Sequence, residues 1–291
     1  MTTISSELSF PPELEREIFE VTAALFPAFI PTLLRVCQRV HVWIEPLLYR
    51  VLMISSSGIN STQMLNLVDS KASILQNGVR HMYIQTFHTG GSIDTYKNLL
   101  AACSRCMNLA IDGQVEGEFV GVLDKMRPRA LAFTVPEGFF APDSRGFTHP
   151  LFLSVTHLDL YHGVGLESNW EPWSGLASLP ALTHLALSHP IAGGILSRVV
   201  AECPRLSIVA VPMFAWEQEI AVDLAGNLGF SDARVAVIVL SEAYEVDWEL
   251  GARGGDDFWA RAQTFINLKR GGQIEASCYL LDESAIAPDS P

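Results

Sequence analysis

The sequence predicts an α/β fold in which short strands alternate with helices in a repeated unit. A six-residue phrase occurs at 155–160 as Val-Thr-His-Leu-Asp-Leu and again at 182–187 as Leu-Thr-His-Leu-Ala-Leu. Weaker copies lie at 106–111 and 206–211, and degenerate ones at 79–84, 129–134 and 234–239. Stretches of helical character separate the phrases. The third places of the phrases lie 22 to 27 residues apart, at His81, Asn108, Ala130, His157, His184 and Ile208.

This period falls in the range of about 20–29 residues that is typical of leucine-rich repeats. One strand and one helix cannot bury their own apolar faces, so such units stack into an array. We therefore predict a leucine-rich-repeat-like solenoid over residues 62–272, with a curved parallel sheet backed by helices. The array is divergent, because Tyr161 and Ser188 stand near the place where the repeat usually has Asn or Cys. A closed, doubly wound α/β domain is the alternative fold.

Alternation along each strand predicts two different faces of the sheet. Leu158 and Leu160 should enter the core, while His157 and Asp159 point to the opposite side. Stacking the units places His157 beside His184, about 4.8 Å away. The row of Asp159 also contains Tyr83, and its other members are alanines, which should leave a trough. Its predicted polar lining consists of His81, Tyr83, Asn108, His157, Asp159, Tyr161 and His184.

The trough allows two interpretations. Concave strand faces of repeat proteins commonly bind proteins, and this is the interpretation we favour. Alternatively, a carboxylate near imidazoles can tune them for acid/base chemistry. The candidate groups of such an unconventional enzyme or small-molecule binder are His157, Asp159, His184 and Tyr83. Two His and one Asp could also hold a metal, but nothing in the spacing requires one, and no metal or cofactor is predicted.

Two aromatic, turn-rich segments flank the best-formed repeat, at 137–149 and 163–180. They contain Phe139, Phe140, Phe147, Trp170 and Trp173. Either they replace missing backing helices and bury their rings in the core, or they form the wall of a pocket above the trough.

The beginning of the chain predicts a helical segment at 10–54 after a tail at 1–9. Pro11 and Pro12 suit a first helical turn, and the acids that follow lie near the positive end of the helix dipole. Leu14, Ile18 and Val21 form an apolar stripe at helical spacing. A second helix is predicted over 32–43 and a short third piece after Pro46, followed by a strand at 51–54.

This segment resembles an F-box-like domain. The resemblance is carried by Pro-Pro-Glu-Leu-x-x-x-Ile-Phe, followed by Leu-x-x-Val-Cys-x-x-Val-x-x-Trp-x-x-Pro-Leu-Leu-Tyr-Arg. Along nearly its whole length the chain is similar to uncharacterised fungal F-box-like proteins with leucine-rich-repeat-like bodies. The resemblance implies docking on the Skp-type linker subunit of a cullin ubiquitin ligase, with the substrate held by the repeats. The implied docking residues are Pro11, Pro12, Leu14, Ile18, Phe19, Leu33, Val36 and Trp43. Alternatively, these helices simply cap the open end of the array.

Composition narrows the function further. The net charge of −13, without runs of Lys or Arg, speaks against nucleic-acid binding. No apolar run reaches the 18 or so residues of a membrane span, and residues 1–9 lack the pattern of a secretory signal. Five cysteines, an odd number, predict reduced thiols in the cytoplasm or nucleus. The Cys103 and Cys106 pair is interpreted as structural, because zinc needs four ligands.

The remaining motifs predict no conventional enzyme. There is no phosphate-binding glycine loop with Lys, no Gly-x-Ser-x-Gly turn and no His-Glu-x-x-His. Towards the end of the chain, Asp256 and Asp257 should begin a helix that runs to about Lys269. Residues 273–291 are predicted to be a tail.

Overall fold

One parallel sheet of nine strands organises the computed structural model. The structure describes residues 10–55, 58–87, 91–113, 121–123, 125–135, 146–161, 170–187 and 193–281. The strands are β1 Val51–Ile54, β2 His81–Gln85, β3 Asn108–Asp112, β4 Ala130–Thr134, β5 His157–Tyr161, β6 His184–Leu187, β7 Ile208–Phe214, β8 Val235–Leu240 and β9 Leu280–Leu281. They lie side by side in chain order, so the predicted α/β class is confirmed. Doubly wound sheets reverse their strand order at a switch point, and no such reversal occurs among these nine strands.

The register of the strands agrees with the repeated phrase. His81 pairs with Asn108, Asn108 with Ala130, Ala130 with His157, His157 with His184 and His184 with Ile208. The next outward-facing row is likewise continuous, running through Tyr83, Ala110, Ala132, Asp159, Ala186, Ala210 and Ala236. Equal spacing of apolar residues in each phrase sets this register, because a slip of one residue would turn every buried side chain to the other face.

The helices are α1 Pro12–Leu25, α2 Ile30–Leu33, α3 Gln38–Leu48, α4 Ser61–Gly78, α5 Ile93–Ala102, α6 Gly193–Glu202, α7 Gln218–Gly226, α8 Tyr244–Ala252 and α9 Phe258–Arg270. Short 3-10 turns lie at Pro27–Phe29, Gly146–Thr148, Pro150–Ser154, Glu171–Ser178 and Ala215–Glu217. None of the helices in the described ranges is both long and apolar enough to cross a lipid bilayer.

Two local predictions near the beginning of the chain are wrong. The helix expected over 32–43 is divided, because Cys37 has an extended backbone between α2 and α3. Pro46 does not open a separate piece but lies inside α3, two residues before its end. The carbonyl that Pro46 leaves without a helical donor belongs to Val42, which is exposed and can be hydrated.

The largest core lies between one face of the sheet and the connecting segments. Leu109, Leu158 and Leu185 come to it from the strands, and Leu99 and Val199 from the helices. Phe147 and Trp173 are also buried there, which favours the interpretation that the aromatic segments replace backing helices. Phe139 and Phe140 lie outside the described residues. Cys103 and Cys106 are buried in the same core as free thiols, in keeping with a structural role.

A second core lies on the opposite face of the sheet. There α8 and α9 pack against the row of small residues, burying Trp248, Phe258 and Phe265 between helices and sheet. The sequence predicted an open trough on this side, and this prediction is wrong. The alanines do not line an empty groove; they let two helices approach the sheet closely.

The predicted tail at 273–291 is wrong for the residues that the structure describes. Leu280–Leu281 forms β9 and pairs with β8, while Tyr279 is buried against the main core. The Tyr279 hydroxyl donates to the carbonyl of Phe230 at 2.5 Å. Residues 1–9 and 282–291 lie outside the described residues.

Candidate functional site

Two surfaces were predicted to carry function: the polar rows of the sheet and the N-terminal helices. On the sheet, His157 and His184 are neighbours as predicted. Their rings stack with centroids 3.9 Å apart and planes inclined by 14°. Nδ1 of each ring lies within hydrogen-bond distance of the preceding threonine hydroxyl, at 2.9 Å for Thr156 and 2.7 Å for Thr183. The repeated Thr-His pair therefore forms a regular ladder across β5 and β6.

The ladder is covered by α9. The Trp259 ring is nearly perpendicular to both imidazoles, with centroid distances of 5.4 Å to His157 and 5.7 Å to His184. Burial, followed by the proximity of His184, lowers the pKa of His157 to about 4. Burial also lowers the pKa of His184, against the effect of a hydrogen bond with Gln263. Both rings are therefore neutral at neutral pH.

Asp159 interacts with a helix rather than with the imidazoles. It is 2% exposed, and its Oδ2 accepts a hydrogen bond of 2.7 Å from the hydroxyl of Tyr244 at the start of α8. The ring of Tyr161 meets the Tyr244 ring edge-on at 5.1 Å. These contacts fix the beginning of α8 against β5, so Asp159 is a positioning group in this arrangement.

Tyr83, His81 and Asn108 occupy the other end of the two rows. The Tyr83 hydroxyl donates to Asp112 at 3.1 Å, and its ring lies 5.6 Å from that of Trp248 in α8. Burial, with the positive charges of Arg50 and Arg80, lowers the pKa of His81 to about 4. In its row, Asn108 and Ala130 separate His81 from His157. The structure therefore brings His157 and His184 together but keeps His81 and Tyr83 apart from them.

The two covering helices are joined by a buried ion pair that sequence reasoning missed. Asp247 in α8 is 5% exposed and accepts from the backbone N–H of Phe258 at 2.9 Å and from Arg261 Nη2 at 2.7 Å. Asp257 caps α9 by accepting from the N–H of Ala260 at 3.0 Å. We call α8 and α9 together the C-terminal helix pair. The helical spacing of Phe258, Ala262, Phe265 and Ile266 in the sequence is the signal that this helix needs a partner surface.

The C-terminal helix pair is anchored at its far end by Lys269. Its Nζ donates to the carbonyl of Val235 at 2.7 Å and lies 4.6 Å and 4.7 Å from the ring centroids of Phe265 and Tyr279. Burial lowers the pKa of Lys269 to about 8. Together with Tyr244 and Trp248, this contact extends the covered part of the sheet from β2 to β8.

The enclosed polar groups fit a structural role better than a reaction site. Across the described ranges, no group of three His, Cys, Asp or Glu side chains could hold a metal ion. His157, His184 and Asp159 are in contact with Trp259 or Tyr244, where a ligand would have to lie. The predicted ligand trough is therefore occupied by the chain itself.

The bond between Tyr244 and Asp159 predicts a measurable contribution to stability. Tyr244→Phe should lower the free energy of unfolding by about 2 kcal/mol, because a buried carboxylate loses one hydrogen-bond donor. Asp159→Asn should cost less, since the amide oxygen still accepts from the hydroxyl. Urea unfolding of both variants tests this, and a Tyr244→Phe protein as stable as the parent would contradict it.

The N-terminal helices have a different character, because they expose an apolar face. Leu14, Ile18, Val21 and Leu25 recur on one side of α1 and are 49% to 68% exposed. The opposite side of α1 contributes Ala23 to a small separate core with Ile30, Val40 and Ile44. Further exposed apolar side chains in this segment are Phe10, Phe26, Phe29, Val36, Val42 and Leu48.

The eight predicted docking residues divide into two groups. Pro11, Pro12, Leu14, Ile18 and Val36 are exposed. The other three, Phe19, Leu33 and Trp43, are partly buried against the small core. The second group therefore holds the segment together, and the first group remains at the surface.

The N-terminal segment is tied to the rest of the chain through α3. Glu45 of α3 forms an ion pair with Lys71 of α4, and Gly78 at the end of α4 approaches the backbone of Pro46 too closely for a side chain. Arg39 of α3 pairs with Glu15 of α1 at 2.7 Å. Thus α3 packs on α4 while the apolar stripe of α1 remains exposed.

The chain matches no protein-family model, and no curated protein is significantly similar to it.

Proposed function

We propose that this chain is a protein-interaction module of the F-box-like adaptor type. Its N-terminal helices would dock on a partner protein through the exposed stripe of α1. The observation that carries the proposal is that Leu14, Ile18, Val21 and Leu25 are exposed together although the segment already has its own core. A contiguous apolar patch of this kind is characteristic of protein-interaction sites.

The partner that we propose is a Skp-type linker subunit of a cullin ubiquitin ligase. The Pro-Pro-Glu-Leu-x-x-x-Ile-Phe phrase supports this choice, because its members Pro11, Pro12, Leu14 and Ile18 are all exposed. Capping and docking are compatible here, since α3 contacts α4 while α1 faces outward. The five free thiols are in keeping with a cytoplasmic or nuclear location.

For the body of the chain we propose a divergent leucine-rich-repeat-like solenoid. Its period of 22 to 27 residues and its strand order, which follows the chain without reversal, support this architecture. A partner on the sheet face is not part of the proposal, because the C-terminal helix pair covers that face. The alternative of an enzyme using His157, Asp159, His184 and Tyr83 loses its basis for the same reason.

Ile18→Asp tests the docking proposal. The purified Skp-type linker should bind the intact chain, and the substitution should weaken binding by about 30-fold or more, because it places a charge in the middle of an apolar interface. Ile18 is 53% exposed, so the fold should tolerate the change. Calorimetric titration gives the dissociation constants.

The matched control is Leu153→Asp, since Leu153 is 56% exposed and lies outside the N-terminal segment. It should bind the linker as tightly as the parent chain. If the folded parent chain does not bind the linker at all, the N-terminal helices are a cap and the adaptor proposal fails.

A further inference from the structure

A second exposed apolar surface lies near the other end of the sheet. Trp216 is 79% exposed, the most of any large apolar side chain that the structure describes. It belongs to the 3-10 turn between β7 and α7, and its ring stacks on Phe214 with a centroid distance of 4.4 Å and an angle of 11°. Ile220, one helical turn later, is also about half exposed. We call Phe214, Trp216 and Ile220 the tryptophan surface.

The tryptophan surface is held by ordered structure on both sides. Phe214 ends β7, the longest strand, and packs against the core beneath the C-terminal helix pair. Its backbone N–H donates to Glu217 Oε2 at 3.0 Å, which closes the 3-10 turn. Ala221 is fully buried and anchors α7. The indole is therefore presented outward from a supported base.

The surroundings of the tryptophan surface are acidic. No Lys or Arg occurs between residues 206 and 233, whereas Glu217, Glu219 and Asp223 lie on or beside α7. The first cation after this stretch, Arg234, is bound to Asp232 at 2.6 Å. The neighbouring strand β8 ends at Leu240, the register partner of Phe214, and the exposed Glu242 follows it. Acidic residues thus occur in both of the adjacent connections that follow β7 and β8.

We propose that the tryptophan surface binds a basic peptide segment of a partner protein that also contains apolar side chains. An Arg or Lys of this segment would lie over the Trp216 ring and pair with the neighbouring carboxylates. Its apolar residues would cover Ile220. Trp and Arg are the residues most enriched at the energetic centres of protein interfaces.

The negative charge around the tryptophan surface favours a basic peptide over other binding partners. A nucleic acid or an anionic membrane would be repelled by the carboxylates, and a second copy of the chain would bring the same negative charges together. A basic segment instead gains from the overall charge of −13, which also favours fast association.

This inference does not depend on the proposed N-terminal docking. From β1, which follows the N-terminal helices, to β7 there are six strand spacings, or roughly 30 Å along the sheet. The two surfaces can therefore be tested separately, and an adaptor that used both would hold two partners at opposite parts of the sheet.

The test uses the full chain and three synthetic peptides of about 12 residues, built from Arg and Leu, from Glu and Leu, and from Arg and Ser. The Arg/Leu peptide should bind most tightly, as followed by calorimetry. Trp216→Ala and Glu219→Lys should each weaken its binding by about tenfold, and Ile18→Asp should leave it unchanged.

Two controls separate this surface from general charge attraction. Glu13→Lys makes the same change of charge on α1, and Leu153→Ala removes another exposed apolar side chain; both should bind the peptide like the parent. All these side chains are exposed, so we expect each variant to fold like the parent. Thermal unfolding of each variant checks this. The proposal is overturned if Trp216→Ala binds as tightly as the parent, if Glu13→Lys weakens binding as much as Glu219→Lys, or if no peptide binds.

Discussion

Asp247→Ala should lower the free energy of unfolding by about 3 kcal/mol, because it removes one partner of a buried ion pair. The carboxylate of Asp247 bonds both to Arg261 and to the N–H of Phe258 at the start of α9. Without it, the N–H of Phe258 loses this acceptor, and the Arg261 guanidinium loses its charged partner although it still donates to the carbonyl of Asp256. Arg261 retains some access to water, so we expect the lower end of the range for buried pairs. Guanidinium unfolding followed by circular dichroism measures the change.

Asp256→Ala is the matched control, since Asp256 is exposed and lies in the same connection between α8 and α9. Its effect should stay within about 0.5 kcal/mol. Equal stability of the Asp247→Ala and Asp256→Ala proteins would contradict the role that we assign to the ion pair.

Acidification should destabilise the protein between pH values of about 6.5 and 4. The pKa of His157 is lowered to about 4 in the folded chain, against about 6.5 in an unfolded one. The unfolded chain therefore binds more protons in this range, and the stability that is fully present above the unfolded pKa is lost as the pH falls. For this single group the loss is about 2 kcal/mol at a pH of about 5. His81 and His184, whose pKa values are also lowered, should add to it.

The contribution of His157 can be isolated by comparing pH profiles. His157→Gln removes one titrating ring, so the fall in unfolding free energy from pH values of about 7 to 5 should shrink by about 2 kcal/mol relative to the parent. Any constant loss caused by the altered packing against Trp259 cancels in this comparison. If the fall is as large in His157→Gln as in the parent, the half-buried ladder does not control the acid response.

The strand register could be predicted from sequence because it depends on short-range pattern. The phrase around His157 and the one around His184 differ little, and the alternation of apolar residues leaves one way of aligning them. The cover on the sheet could not be predicted in the same way. Trp248 meets Tyr83 across 165 positions of chain, and no local pattern links them.

For the candidate site, too, local features could be predicted from the sequence and long-range contacts could not. The alanine row was recognised, but a row of small residues is equally compatible with a ligand groove and with a closely packed helix. On α1, the spacing of Leu14 and Ile18 placed them on one face, whereas the packing of Phe19 and Trp43 against a local core depends on how α1 and α3 meet. The family resemblance implies the same docking role for all of these residues. It does not separate the exposed residues from those that pack inside the segment.

The late position of the C-terminal helix pair in the chain has a consequence for how the protein reaches its native state. A parallel sheet whose strands follow the chain in order can form one strand after another. Here Tyr244 and Trp248 close contacts with β5 and β2, so the apolar outer row of these strands stays exposed to water until α8 has been synthesised. The same contacts join distant strands, which favours concerted unfolding over fraying of the sheet from one end. The nascent chain accordingly depends on α8 and α9 to bury what its first strands expose.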